Sequence, residues 1–579
     1  MSLSGSSSDK IYLWATAGLV TLSLILVFES SKRQSLTPDE SNHFYCGLEW
    51  WQKGSYTVWP ENPVLSRAVV GLGAYLQGYE PSRFTVQRDS ATVMENFLNA
   101  YDLVYFEQGV AEDQIFWIRI FVLPMFLLSI LIVWYWSVRL SGYSGAFLAV
   151  GIYATLPIIM AHSGLATTDV TFVACFTLLM WTFFRWLPRP SPRRSIAFAA
   201  GLAMAVLAKY SVLPFFAIAG AIALIFYLTK ELKSEQPTTP FLSKRRLWSV
   251  LMILFLMIGI VWAFHGFSIG RIENEPIIKT GIATGEIDPA LKGIVLPAPE
   301  WFAGLELLLW HNRLGHVAYS LGEISFEGFW YFYPLAWLTK TPWPFLLLAL
   351  AGTAGAWWPP LKSRSWEVQA LTIIPIAMTI SVMTSTINIG LRHILVVYPL
   401  GAVGISAGFM ELLKVLPDRY GQIKKFLAPA FVVWQLVIAI AAFPNYLAYF
   451  NAFAGGEPGK VLLDSDLDWG QGLIELSEFS KANDIDTLHL AYFGYTNDCF
   501  YDLPVIRHLP PDKVVSGWVA VSALNYWGVF EGEIIPDGDC QVLSFKFDPP
   551  EKPHSRYRWL DQYELKTRAG GSIRVYHVP

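Results

Sequence analysis

Two carboxylates stand side by side just after the first apolar run, in Thr37-Pro38-Asp39-Glu40-Ser41-Asn42-His43. Acids in the first turn of a helix serve its cap and its dipole. Beside an apolar surface a carboxylate also gains basicity, because burial disfavours its charged form, and it can then take a proton in catalysis. A second acid, Asp169, ends Ala161-His162-Ser163-Gly164-Leu165-Ala166-Thr167-Thr168-Asp169 and opens another apolar run. Cations stand where hydropathy does not explain them. Lys209 interrupts an apolar stretch, Arg392-His393 heads another, and Arg67 follows Pro63-Val64-Leu65-Ser66. Each could be a snorkelling interface residue, but ionisable groups within spanning segments mark functional sites by default. Arginine offers phosphate a fork and lysine a point charge. Acids and cations at one depth therefore predict a phosphate-binding cleft beside a carboxylate base. A zinc site at Asp39, Glu40 and His43, which share a helix face, would want a companion cluster of His or Cys, and the sequence has none at ligand spacing.

The elements that must hold these residues follow from composition. The chain has 579 residues, 54% hydrophobic and only 15% charged, with 24 tryptophans. Soluble domains carry about 25% charged residues, and the aromatic bias is that of chains anchored at bilayer interfaces. Four cysteines exclude a disulfide scaffold, the apolar excess excludes disorder, and a net charge of -4 excludes a generally basic nucleic-acid binder. A spanning helix needs roughly 20 mostly apolar residues. Such runs fall near 11–28, 115–138, 144–162, 169–187, 195–209, 212–229, 247–268, 341–358, 367–385, 391–412 and 426–448, which makes eleven spans of an α-helical polytopic membrane protein. The stretch 195–229 is too long for one crossing and divides at Lys209, Tyr210 and Pro214 into a tight hairpin. Pro214 and Pro342 suit the first turns of helices. The first run lacks a small-x-small cleavage pattern after it and stays as an anchor.

Orientation follows from Lys and Arg in short loops. Arg139; Arg185, Arg189, Arg193 and Arg194; Lys230, Lys233, Lys244, Arg245 and Arg246; Lys362 and Arg364; and Lys414, Arg419, Lys424 and Lys425 all fall in alternate loops. The intervening short connections hold little that is basic beyond Lys209 and Arg392. The expectation is a cytoplasmic N-terminus and an extracytoplasmic C-terminus in the plasma (inner) membrane. Segments 29–114, 269–340 and 449–579 then lie outside, with a transmembrane module at 1–448 and a soluble α/β domain at 449–579.

In the outer loops, 41–53 and 63–78 mix aromatics with charges as interface-lying helices do. The last segment has turn-rich composition, a helical stretch near 470–483 and strand-like runs at 487–493, 514–522 and 572–578. The aromatic run 325–344 suits an interface belt or a sugar-stacking platform. Cys46, Cys499 and Cys540 fall outside and Cys175 in a span; a Cys499–Cys540 bridge fits an oxidising compartment, though spacing alone does not establish it. No nucleotide motif stands out, since Gly455-Gly456 lacks the P-loop's Lys-Ser/Thr.

The Asp39-Glu40 pair after the first span resembles the Asp-Glu motif of GT-C membrane glycosyltransferases, most closely family 39, the protein O-mannosyltransferase and aminoarabinose-transferase-like group. AHSGLATTD at 161–169, FWYFYPLAWLTKTP at 329–342, NIGLRHILVVYP at 388–399 and the segment 446–472 with its DSDLDWGQG are similar to bacterial members. The resemblance implies a polyprenyl-phosphate sugar as donor and a protein or glycolipid as acceptor. By it, Asp39 is the catalytic base with Glu40 beside it, and Asp169 is the second acid. Arg67, Lys209, Arg392 and His393 meet the donor phosphate. Relatives commonly have His-Pro-Pro-Leu where this chain has Asn62-Pro63-Val64-Leu65. The chemistry requires no metal, and a divalent cation is left open. The rival class is a transporter or lipid flippase, which would show paired repeats with broken helices; the sequence has no such symmetry, and its charges gather on one side.

Overall fold

The computed structural model describes residues 7–81, 84–85, 90–107, 112–231, 243–285, 287–358, 365–537, 540–546 and 557–579. Lys233, Lys362 and Arg364 of the predicted basic loops lie outside these. Among the described residues, six helical stretches are long and apolar enough to cross a bilayer: Ser7–Ser31, Ile115–Ala154, Val212–Glu231, Lys244–Phe264, Trp366–Thr384 and Gly421–Ala442. Helices Asp169–Trp186, Pro192–Ala208, Trp343–Trp357 and Val397–Val415, shorter or less apolar, fall on other predicted spans. The protein is a multi-pass α-helical membrane protein. The spans predicted at 115–138 and 144–162 meet in one helix, Leu123–Ala154, which breaks at Gly142 with φ 73°. The remainder of the latter span is a separate short helix, Pro157–Ser163. Pro342 sits at an N-cap, one residue before the first turn expected for it.

The apolar stretch divides at Lys209 as expected, but its halves do not form a tight hairpin. Helix Pro192–Ala208 ends because Lys209 is extended, with φ -161° and ψ 138°, and the chain re-enters helix at Val212. Pro192–Ala208 then packs along Asp169–Trp186 and Lys244–Phe264, whereas Val212–Glu231 packs along Trp366–Ser381. Asp169–Trp186 and Pro192–Ala208 run antiparallel and separate charges along their length. Asp169 stands at one end of Asp169–Trp186 and Arg185 at the other. Lys209 and the Arg193–Arg194 pair are likewise at opposite ends of their helix. At the basic end Arg194 donates to the Arg185 carbonyl and Arg246 to that of Leu187, at 3.1 and 2.9 Å.

Two close helix crossings fix the elements that carry the site. Helices Pro38–Lys53 and Val64–Leu76 pack on each other through Gly47 and Gly71, where a Cβ on Gly47 would stand 2.1 Å from the Arg67 carbonyl oxygen. Helices Trp343–Trp357 and Val397–Val415 meet through Gly352, Gly355 and Gly408, and a Cβ on Gly355 would stand 2.0 Å from the Gly408 carbonyl. Small residues of this kind let backbones approach where no hydrophobic force separates protein from lipid.

After the last long helix, the chain does not leave the helical module at once. Leu462, Leu463, Leu467 and Trp469 are buried in its core. Beyond them lie helix Leu473–Ala482 and a five-stranded sheet ordered Leu565–Ala569, Ile573–Val578, Gly517–Val521, Thr487–Ala491, Val505–His508. Thr487–Ala491 pairs in parallel with both of its neighbours, and Ile573–Val578 pairs antiparallel with both of its own. The helix and the strands Thr487–Ala491, Gly517–Val521 and Ile573–Val578 fall on the expected runs, whereas Val505–His508 and Leu565–Ala569 were not expected. A second sheet, Thr496–Asn497, Cys540–Lys546 and Glu531–Asp537, is tied to its surroundings by a Cys499–Cys540 disulfide. Cys46 and Cys175 are free and buried.

The disulfide closes a 41-residue separation. Replacing both cysteines by serine is expected to cost about 2–4 kcal/mol through the freed unfolded chain. Scanning fluorimetry of the detergent-solubilised protein checks this: the variant's unfolding midpoint falls, and reductant lowers the parent's midpoint to match.

Candidate active site

Proline at the first position of Pro38–Lys53 presets the helix start, and the chain leaves Thr37 with Asp39 and Glu40 in the first turn. Successive helical residues diverge by about 100°, and the two acids go different ways. Glu40 is fully buried. Arg119 donates to it through both Nε and Nη2 at 2.8 Å, Thr37 N at 2.9 Å and Ala166 N at 2.7 Å. Arg119 also donates to the carbonyls of Ser31, Gln34 and Ser35, at 2.6, 2.7 and 3.0 Å. Glu40 thus fastens the 38–53 helix to the 112–119 helix and to the 164–168 turn, its oxygens occupied by these donors. It stands beside Asp39 in the chain, as predicted, and faces away from it in space.

Asp39 remains 31% accessible and pairs with Arg392 Nη1 at 2.8 Å. Burial pushes its carboxyl up, but the Arg392 guanidinium outweighs this and holds the group below the usual carboxylate range. Arg392 lies over the Trp469 indole, 4.3 Å from the ring centroid. Leading into Arg392, Leu391 N donates to Asp466 Oδ1 at 3.1 Å. The second acid faces the second cation: Lys209 Nζ donates to Asp169 Oδ1 at 2.8 Å. His162 Nδ1 stands 4.0 Å from Asp169 Oδ2, and the His162 ring meets Trp469 edge-on at 6.1 Å. Through His162 and Trp469 the Asp169–Lys209 pair adjoins the Asp39–Arg392 pair, and together they line one cleft.

Among the described residues, several buried polar atoms in this cleft have no hydrogen-bond partner: both His162 ring nitrogens, Asp169 Oδ2, Thr167 Oγ1, Arg392 Nε and His393 Nε2. Such groups cost about 1–3 kcal/mol each when left unpaired, and they cluster where a polar ligand would satisfy them.

Arg67 is 2% exposed, and its guanidinium is engaged by Tyr56 OH at 3.2 Å, by the Trp59 carbonyl and by His43 Nδ1 at 3.3 Å. It reaches the cleft through His43, where burial first and Arg67 second push the ring down to about 3. His43 is therefore neutral, accepting on Nδ1. Asp39, Glu40 and His43 consequently face three separate partners, which is not a metal-binding arrangement. Among the described residues, the one set at metal-ligand distance is Asp498, Cys499 and Cys540, whose sulfurs form the disulfide.

His162, Trp469, Arg119 and Asp464 were given no role by sequence reasoning. Asp464 lies near Arg392, Asp39 and Asp466, and burial pushes it up to about 7. The DSDLDWGQG run was the available signal, three alternating acids before an aromatic and two glycines. In the aromatic run, Trp330 is 68% exposed, whereas Tyr333 is buried and donates to the Ile387 carbonyl at 2.7 Å.

With the fold and cleft described, their likeness to known proteins can be stated. Residues 106–262 match the family model for dolichyl-phosphate-mannose-protein mannosyltransferase, a segment that contains Asp169 and Lys209. No curated protein matches the chain. Among solved structures, it is similar to ArnT from Cupriavidus metallidurans bound to undecaprenyl phosphate, with 14% identity, a TM-score of 0.47 and coverage of 99% of this chain and 98% of that one. It is also similar to the mycobacterial arabinofuranosyltransferase AftD, with 12% identity, a TM-score of 0.37 and coverage of 97% and 40%. The Archaeoglobus fulgidus oligosaccharyltransferase gives 12% identity, a TM-score of 0.35 and coverage of 93% and 76%. The family match contains one of the motifs, AHSGLATTD at 161–169, and it is this segment of the membrane protein that is similar to the protein mannosyltransferase family.

Two outcomes follow from the site's charges. Glu40→Ala leaves Arg119 buried without its counter-charge, and it is expected to cost about 3–5 kcal/mol, measured as a loss of folded protein in detergent. Asp464 has its folded value above the ordinary 3.8, so the native state holds its proton more tightly. Its stabilising effect is present below pH ~4 and is lost as pH rises through 7. Asp464→Asn should raise the unfolding midpoint at pH 8 and leave it unchanged near pH 4.

Proposed function

We propose that this protein transfers a sugar from a polyprenyl-phosphate-linked donor to an acceptor hydroxyl at the outer face of the membrane, with inversion. The observation that supports this most is the meeting of two ion pairs, Asp39–Arg392 and Asp169–Lys209, beside buried donors without partners on His162, Arg392 and His393. A bound phosphate would satisfy those donors. The matched family's description also specifies a polyprenyl-type phosphate sugar.

In the resting cleft Arg392 lowers the basicity of Asp39. A donor phosphate competes for the same guanidinium, and drawing it away returns basicity to the carboxylate. Asp39 then takes the acceptor's proton as the acceptor oxygen attacks C1 and the sugar–phosphate bond breaks on the opposite side. The leaving phosphate gains charge, which Arg392, Lys209 and His393 stabilise in a setting of low dielectric. Asp169 holds Lys209 in place. Glu40 and Arg67 act one layer out, Glu40 by fixing the first turn that carries Asp39 and Arg67 by fixing His43. No step requires a metal.

The membrane module is assigned to 1–448 and the extracytoplasmic domain to 449–579, whose first turns are embedded in the module's core. The N-terminus is placed in the cytoplasm and the sheets outside the plasma membrane. The basic ends of the helices support that orientation, as does a disulfide of the kind an oxidising compartment maintains. The acceptor is a protein or a glycolipid.

The test is release of free polyprenyl phosphate when purified protein meets a polyprenyl-phosphate sugar. Asp39→Asn is expected to lower that rate by about 10²–10⁴-fold while the protein still inserts and folds. Unchanged turnover in this variant would remove Asp39 as the base, and lipid movement without bond cleavage would favour a flippase.

A further inference from the structure

The C-terminal domain touches the cleft through one loop, 464–472, and that loop is anchored at both ends. On the domain side, Asp468 is fully buried, and its carboxylate accepts from Leu524 N at 3.0 Å, from Ser572 Oγ at 3.1 Å and from Ser522 Oγ. Gln471 donates to the carbonyls of Gly570 at 3.1 Å and Leu467 at 2.9 Å, and its Oε1 accepts from Trp469 N at 2.7 Å. On the membrane side, Asp466 receives Leu391 N, Ser465 Oγ donates to the Ile389 carbonyl, and Lys340 Nζ donates to the Asp466 carbonyl. Between the two anchors stands Trp469, 3% exposed, with Arg392 over its face and His162 at its edge.

An arginine held by a single carboxylate retains freedom about its long stem. An aromatic plane beneath the guanidinium removes much of that freedom, and cation–π attraction adds to it. We propose that the C-terminal domain is a positioning device for the anion-binding half of the cleft: Asp468, clamped by Ser522, Leu524 N–H and Ser572, holds Trp469 as the platform that aims Arg392. This rests on the proposed function for its kinetic consequence, but not for its geometric one. Trp469 and Asp468 are positioning residues, since neither is required to touch donor or acceptor.

Two variants separate this from mere structural support. Both Trp469→Leu and Trp469→Phe lose volume, but Trp469→Leu also removes the ring face, whereas Trp469→Phe keeps one. Trp469→Leu is expected to raise KM for the lipid-phosphate sugar about tenfold, as expected for a lost cation–π contact, with a smaller change in kcat. Trp469→Phe should recover to within about threefold of the parent. Ser522→Ala combined with Ser572→Ala, at the domain seam and away from Arg392, should shift KM in the same direction. A geometric readout accompanies the kinetics: mass-spectrometric mapping of phenylglyoxal modification, in which Arg392 becomes more reactive in Trp469→Leu and in the seam variant. Equal behaviour of the Leu and Phe variants, or a seam variant that changes kcat or folded yield without moving KM or Arg392 reactivity, overturns the proposal. If the parent protein shows no turnover with polyprenyl-phosphate sugars while Arg392 reactivity still rises in the variants, the enzymatic reading fails and the positioning stands.

Discussion

A charge withdrawn from water needs a counter-charge, and in this protein the counter-charge comes from far along the chain. Asp39 and Arg392 are 353 residues apart and meet at 2.8 Å. Neither would sit comfortably in its own apolar surroundings, since burial alone disfavours each ionised form. Their pairing pins helix Pro38–Lys53 to the segment entering helix Val397–Val415. Asp169 and Lys209 do the same for helices Asp169–Trp186 and Pro192–Ala208. Arg119 and Glu40 close a third such contact one layer deeper. Much of the architecture at this end of the helices is a consequence of satisfying these three pairs.

The pairs differ in how completely they are satisfied, and the difference sorts structure from chemistry. Arg119 donates to Glu40 twice and to three carbonyls, which makes a closed polar knot with nothing left for a ligand. Around Asp169 and Arg392 the opposite holds, with ring nitrogens, a carboxylate oxygen and a guanidinium nitrogen left without partners. Fully satisfied networks rigidify, whereas incompletely satisfied ones wait for something polar.

The residues legible in sequence were those whose charge contradicts local hydropathy. Lys209 in an apolar stretch and Asp169 at the mouth of an apolar run announce themselves, and both lie in the cleft. Asp39 and Glu40 are indistinguishable by neighbourhood, because which way a helix rolls is set by its contacts, here the Gly47–Gly71 crossing. Arg67 announced a cation but not its engagement by His43, Tyr56 and Trp59. Trp469 was hidden for another reason: an aromatic in a turn-rich stretch acquires its burial and its arginine only when that stretch folds back into a core made by earlier helices. The helix and three central strands of the C-terminal segment, by contrast, were readable from local composition, while the edge strands Val505–His508 and Leu565–Ala569 and the second sheet were not.

The loop at 464–472 follows every long apolar helix in the chain. Its aromatic platform is thus the last component of the cleft to leave the ribosome, and the arginine beneath which it slides is inserted well before it. During biosynthesis the protein therefore passes through a stage in which all its membrane helices are in place and its cleft is unfinished. Maturation is coupled to the folding of the chain's last segment onto helices already in place, a built-in delay between insertion and completion.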